Sequence, residues 1–342
     1  MNQPQDTDDI FSGVKQLLSE EESATRKRIK QARLALLDAA QLIFQGTEKD
    51  RGYPKHMDTE QMSMLLNLSD SHFGKEIHDM NTNSPVVKFN IPEATRKQAD
   101  FFSYAFHEYE MNKDTIDEIN INLIGDHIEG DGSIFPAQVF EIIDSATGQV
   151  VSFVESFYSN LINLAKIAPI PINIYAIPGN HGEMRRGYIK NPSDNWDTLI
   201  FKFIDYMLRR DKANGNLKNV SITYPHPDMK DKKHIRYKTK GWIVHLEHIM
   251  PPNLTTPSGQ HKIQNVVLNY DEKADIILTG HYHSESLATI GRTTVVRVSS
   301  LGGFDQFAND IKASFSEAGQ SIIMVSPSQK VKYYMPICLE KR

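Results

Sequence analysis

An α/β protein is what this sequence predicts, on three observations. Short apolar runs rich in β-branched residues alternate with stretches long enough for amphipathic helices. Met62 to Leu68, Ile121 to Gly125 and Ile172 to Ile177 are separated by Pro92 to Met111 and Val151 to Ala168, the order of repeated βαβ units and so of parallel strand pairs. Several runs also stop abruptly at Asp, Asn or His, the positions at which α/β sheets collect functional side chains.

The first 57 of the 342 residues read differently from the rest. Asp8 to Gln45 mixes Leu and Ile with dense charge, starts a helix near Ser19-Glu20-Glu21-Glu22 and stops one at Gly46. The cluster Arg26, Lys27, Arg28, Lys30 and Arg33 fits a solvated helix face, with phosphate contact as the alternative. Residues 1–57 are therefore expected to form a helical extension, joined through a polar linker containing Gly52 and Pro54 to a second domain at 58–342. Within that domain a helix is expected over Asp197 to Arg210, followed by extended segments at Val220 to Tyr224 and His234 to Lys238. Further strands are expected at Trp242 to His248 and Asp275 to Thr279. Thr293 to Ser299, Ser321 to Ser326 and Val331 to Pro336 read as antiparallel strands, which makes the sheet mixed.

Composition excludes some classes. With 39% apolar and 24% charged residues the chain has the make-up of a soluble globular protein. No apolar run approaches the roughly 18 residues of a membrane span, and Met1 to Asp9 lacks a signal-peptide layout, so a cytoplasmic protein is expected. One cysteine, Cys338, permits no internal disulfide and no cysteine-based zinc site. A net charge of −5 gives no electrostatic preference for nucleic acid.

Four strand ends carry the chemistry: Asp70-Ser71-His72, Gly125-Asp126, Gly179-Asn180-His181 and Gly280-His281-Tyr282-His283. An Asp-x-His pair on an extended chain puts two ligands on one face. The same spacing joins His281 to His283, Asp126 has two oxygens with which to bridge, and Asn180 offers a neutral one. Such oxygen and nitrogen donors without thiolate suit Mn, Fe or Zn better than Ca or Mg. Two ions about 3.5–4 Å apart clamp a phosphate and lower the pKa of a bridging water, which points to metal-assisted phosphoester hydrolysis.

In these motifs the sequence resembles the calcineurin-like metallophosphoesterase superfamily over most of the chain after about residue 60. The resemblance implies a four-layer sandwich, two mixed β-sheets flanked by helices, with two metals at the sheet tips. It implies that Asp70, His72, Asp126 and His283 hold one ion, most simply Mn2+. Asp126, Asn180, His281 and a histidine from the strand before Gly280 would hold the other. His248 is favoured for that place because it precedes the Pro251-Pro252 turn; His245, three residues away, would face the opposite side. His181 would be the catalytic group facing the scissile phosphate. Glu183 falls one residue after the place where many relatives carry an acid, and Arg185 and Arg186 are candidate phosphate-binding residues. Asp-Ser-His-Phe-Gly-Lys further resembles the start of SbcD-like DNA repair exonucleases. That implies a phosphodiester-hydrolysing nuclease acting through a metal-bridging hydroxide, with nucleic acid as substrate and a homodimer or an ATPase subunit as partner. A nucleotide phosphodiesterase or phosphatase, and a non-catalytic scaffold, are the alternatives.

Overall fold

A computed structural model describes residues 60–79, 86–132, 136–184, 194–226, 233–268, 273–303 and 316–340. The expected helical extension at 1–57, and Arg185 and Arg186, lie outside these residues.

The βαβ reading holds in the first half. Strand β1 (Met62–Leu68) is followed by a short hairpin, β2 (Ile77–Asp79) and β3 (Val86–Phe89), then helix α1 (Ile91–Asn112) and strand β4 (Ile116–Leu123). Helix α2 (Ala146–Ile167), strand β5 (Ile172–Ala176), helix α3 (Trp196–Ala213) and strand β6 (Val220–Thr223) complete the run. The helices start where capping chemistry directs: the side chains of Asn90, Ser145 and Asn195 accept hydrogen bonds from the N–H groups of Glu93, Gly148 and Asp197. The second half contains β7 (Ile235–Thr239), β8 (Trp242–Leu246), α4 (Pro257–Leu268), β9 (Ile276–Thr279), β10 (Ser286–Ile290), β11 (Thr293–Arg297), β12 (Gly319–Val325) and β13 (Tyr333–Cys338).

Two large sheets result. One has the order β13-β12-β1-β4-β5-β6 and the other β10-β11-β9-β8-β7. In the first, β1, β4, β5 and β6 run parallel, β12 lies antiparallel to β1, and β13 antiparallel to β12; in the second, β8, β9 and β11 run parallel, with β7 and β10 antiparallel at the edges. The tail departs from its sequence reading. Thr293–Arg297 pairs parallel with β9 in the second sheet, whereas Gly319–Val325 crosses to the first and lies against β1. The hairpin, α4 and β10 also escape the sequence reading, each being short and flanked by polar residues.

Alternation along the strands sets the four layers. Met62, Met64, Leu66 and Leu68 of β1 and Ile119, Ile121 and Leu123 of β4 face a core shared with Phe101, Phe153, Phe157 and Phe201 of the three long helices. Leu65 faces the other way, into a layer between the sheets with Val244, Leu246, Ile276, Leu278, Val296 and Ile323. Ile277 and Val295 pack on Ile263 of α4, the outermost layer. The intersheet layer is partly polar: Asn122 donates to Asn67 (2.8 Å) and accepts from Tyr237 Oη (2.9 Å), a bond that joins the two sheets. At both sheets the parallel strands send their C-terminal ends to the same edge, and there the four motifs meet.

Candidate metal centre

Backbone conformation, rather than strand alternation, aims the candidate ligands. Among the described residues, seven non-glycine residues have positive φ, and Asp70 (49°), His72 (44°), Asp126 (54°), His281 (74°) and His283 (51°) are five of them. The expectation that each pair shares one face of an extended chain is therefore corrected: both pairs sit in left-handed turns beyond the strands. Asp and His tolerate this region better than most side chains, and such strain concentrates at functional sites. The turns are held as a set. Asp70 N–H donates to Gly125 O (3.0 Å), His72 N–H to Asp126 O (3.1 Å) and Phe73 N–H to His127 O (3.1 Å), which extends the β1 and β4 pairing past the strand ends.

The motif glycines are required by close approach. A Cβ on Gly179 would lie 2.1 Å from Asp126 Oδ1, and one on Gly280 would lie 1.9 Å from Ser69 Oγ and 2.4 Å from Asp70 Oδ2. Any side chain at either position would push a candidate ligand aside.

Three sets of donor atoms converge: Asp70 with His72 and His283, Asp126 with His248 and His281, and His72 with Glu129 and His181. In the first, the Nε2 atoms of His72 and His283 are 3.0 Å apart, and Asp70 Oδ1 is 3.9 Å from one and 3.6 Å from the other. Asp70 is held in place by Ser69 Oγ (2.5 Å) and by the backbone N–H of His281. Glu129, fully buried, approaches His72 Nδ1 at 2.7 Å, which directs Nε2 toward Asp70 and His283.

In the second set His248 Nε2 is 2.8 Å from Asp126 Oδ2 and 3.1 Å from Asn180 Oδ1. Its Nδ1 is 2.6 Å from the carbonyl of Ile124, the carbonyl contact that fixes a ligating imidazole. The other oxygen of Asp126 accepts from the backbone N–H of His181 at 2.8 Å. His245, on β8, instead turns away from the centre, its Nε2 meeting Glu247 Oε2 (3.1 Å) and its Nδ1 accepting from Arg236 (3.0 Å). His281 completes the second set, its ring 5.4 Å from that of His248.

These residues fit two divalent ions. Lone-pair nitrogens and carboxylate oxygens, buried and turned toward common points without thiolate, are the donor set for borderline transition metals. Burying so many polar groups without a cation among them is costly. Burial opposes a charge on His248, but Asp126 beside it outweighs that and raises the group to about 9. Ligation through Nε2 needs the lone pair, so metal uptake near pH 7 is expected to release about one proton from His248. Affinity should then rise about tenfold per pH unit up to about pH 9. Calorimetry in buffers of different ionisation enthalpy measures the proton count; uptake that releases none contradicts the assignment.

Glu129 is central to the site. Besides His72 it lies 3.6 Å from His181 Nδ1 and 3.9 Å from Lys75 Nζ, and its backbone oxygen is 3.2 Å from the same His181 nitrogen. Burial pushes its carboxyl up, but Lys75, His181 and His72 outweigh it and hold the group at about 2. Lys75 is buried between Glu129 and Glu141 (3.6 Å). His127 packs its ring on Phe153 at 4.7 Å, within the helix-side core, and burial lowers it to about 3.

Two residues that the motifs do not reveal organise the second set. Asp197, fully buried in the first turn of α3, accepts from the backbone N–H groups of Asp126 (3.0 Å), His127 (3.1 Å) and Gly179 (2.9 Å), joining the two loops. Burial and the charge of Asp126 push its carboxyl up to about 7. Asp197 thus supplies an acid to the Gly-Asn-His loop, while Glu183 pairs with Lys233 at 3.8 Å. Asp197→Ala would leave three buried N–H groups unpartnered, at about 1–3 kcal/mol each, and is expected to destabilise the fold by roughly 3 kcal/mol or more. Urea unfolding reads this directly, and a loss below about 1 kcal/mol would contradict it. Arg297, also buried, donates to the carbonyls of Pro251 (2.5 Å) and Pro252 (2.9 Å) and lies 4.9 Å over the ring of Tyr282. It ties the loop after His248 to the loop of His281 and His283. Its signal in the sequence is only a lone charge in an apolar strand.

The chain belongs to the calcineurin-like phosphoesterase family, whose model matches residues 65–285. No curated protein matches it. Among solved structures it is similar to an archaeal phosphodiesterase (10% identity, 80% of this chain and 98% of that one, TM-score 0.32). It is also similar to Vps29 of Entamoeba histolytica in complex with Zn2+ (10% identity, 81% and 99%, TM-score 0.32) and to a hypothetical protein of Pyrococcus horikoshii OT3 (11% identity, 82% and 89%, TM-score 0.35). Likenesses this distant carry no argument about activity. Among the described residues no helix is long and apolar enough to cross a membrane.

Proposed function

We propose that this protein is a metal-dependent phosphodiesterase acting on nucleic acid. The observation that carries the reading is the convergence of Asp70, His72 and His283 with Asp126, Asn180, His248 and His281 at one sheet edge, with His181 bonded through its backbone to Asp126. When bound, two divalent ions act as Lewis acids on a phosphoryl group and lower the pKa of water. Asp70, His72 and His283 would hold one, and Asn180, His248 and His281 the other, with Asp126 shared.

The remaining roles belong to the chain's own groups. His181 Nδ1 is engaged by the carbonyl and carboxylate of Glu129, so its Nε2 is the atom that would deliver a proton to the leaving oxygen. Glu129, through its carbonyl and carboxylate contacts at Nδ1, fixes the orientation of the ring. Nucleic acid is favoured over other diesters by the Asp70-Ser71-His72-Phe73-Gly74-Lys75 run, which resembles SbcD-like exonucleases, although Lys75 itself points into the protein.

A manganese-supplemented assay on single- and double-stranded DNA, RNA, cyclic nucleotides, bis(p-nitrophenyl) phosphate and the monoester tests the reading. Cleavage of polynucleotides and of the diester well above the monoester is expected. Monoester preference would make the protein a phosphatase, and inactivity on all of them with metal bound would make it a scaffold.

A further inference from the structure

Next to the candidate metal centre the chain places an apolar surface that the hydrolytic chemistry does not use. The 3-10 turn Pro136–Glu141 between β4 and α2 carries Phe140, which is 93% exposed, beside Val139 (50%) and near Ile143 (44%). A single exposed apolar side chain is ordinary, but Phe140 with Val139 and the nearby Ile143 forms an apolar patch beside the candidate centre.

The position of this rim relative to His181 follows from two glycines. Gly130 packs so closely on His181 that a Cβ there would lie 2.6 Å from its carbonyl oxygen, and Gly132 lies so near Val139 that a Cβ would be 3.4 Å from that residue's Cβ. Two residues of chain, at most about 7 Å, therefore separate the His181 contact from the Phe140 turn. The turn is anchored as well: Glu76 N–H donates to Glu141 O (2.7 Å), Ile143 N–H donates to Gly74 O (3.0 Å), and Lys75 ion-pairs with Glu141. The loop that carries His72 and the turn that carries Phe140 thus form one block.

Charge decides what the rim accepts. Asp131 and Asp144 are exposed beside the turn and Glu141 is half-exposed, so a backbone phosphate is repelled there while an uncharged ring is not. We propose that Phe140, flanked by Val139 and Ile143, is a stacking platform for the nucleobase next to the scissile phosphate on the His181 side. The proposal rests on the phosphodiesterase reading and deepens it. The substrate it assigns is one with a base splayed out of the stack, as single strands and frayed ends present, because a paired base has no free face to offer.

Phe140 touches no candidate ligand and is exposed, so its substitution leaves folding and metal content intact. The test uses the manganese-loaded full chain and three probes, thymidine 5′-monophosphate, thymidine 3′-monophosphate and methyl phosphate, with binding measured by calorimetry. At least one nucleotide is expected to bind about tenfold or more tighter than methyl phosphate. Phe140→Ala removes that advantage and leaves methyl phosphate unchanged, Phe140→Leu recovers little of it, and Phe140→Trp restores it with indole emission quenched by the nucleotide alone. Nucleotide affinity unchanged in Phe140→Ala, or no preference for nucleotide in the wild type, overturns the platform. Hydrolysis of bis(p-nitrophenyl) phosphate by the same preparation separates the two readings. Hydrolysis without base preference sinks only the platform, and base preference without hydrolysis sinks only the enzyme.

Discussion

Asp126→Ala is expected to empty both halves of the metal centre and to lower diester hydrolysis by roughly 1,000-fold or more, the several kcal/mol that bound metal contributes. One oxygen of Asp126 faces His248 and, through it, Asn180, whereas the other lies on the His181 side of the site. His72 N–H bonds to the backbone oxygen of the same residue, so the two ligand sets meet at Asp126. The carboxylate is held well below its ordinary range because His248 and His181 outweigh the effect of burial, and it is therefore charged and ready to ligate at neutral pH. Asp126→Asn, which keeps the shape and one carbonyl oxygen, should retain a fraction of the metal. Its retention of both ions at wild-type affinity would remove the bridging role. Metal analysis after gel filtration, with circular dichroism to show that the fold survives, measures both variants.

His181→Ala should behave differently. Turnover is expected to fall by about 100-fold or more while metal content stays the same, the range for loss of an acid catalyst. The basis is that Glu129 engages Nδ1 and the residue touches Asp126 through its backbone N–H, a contact that survives loss of the ring. A substrate with a good leaving group, such as a p-nitrophenyl diester, should be hurt less than an alkyl diester, since the better leaving group needs less protonation. Equal losses on both substrates would remove the acid role, and metal lost in step with activity would place His181 among the ligands.

What the sequence conveyed and what it concealed have separate physical causes. The Gly-Asp, Gly-Asn-His and Gly-His-x-His runs are local signals, because each glycine is demanded by a neighbour's close approach and each ligand follows it at once in the chain. His248 is favoured over His245 in the sequence because it precedes the Pro251-Pro252 turn, and the two side chains do part, His245 toward Arg236 and Glu247 and His248, just past the end of β8, toward Asp126 and Asn180. Asp197 was hidden for the opposite reason. Its three partners come from loops about 20 and 70 residues away, a relation that no spacing rule encodes. The left-handed turns at Asp70 and His72 were likewise misread as extended chain, since nothing in Ser-Asp-Ser-His announces a positive φ. Phe140 reads in sequence as one more apolar residue near a helix start, and only its exposure, with Gly130 against His181 and Gly132 against Val139, gives it a role.

The central claim is that two ions sit at this sheet edge and share Asp126. Anomalous diffraction from crystals of the full chain grown with manganese tests it most directly. The account predicts two peaks on either side of the Asp126 carboxylate. One should be reached by Asp70, His72 and His283, and the other by Asn180, His281 and the Nε2 atom of His248, with His245 still bound to Glu247. A single peak, a peak that excludes Asp126, or a His245 nitrogen in contact with metal while His248 turns away would contradict it.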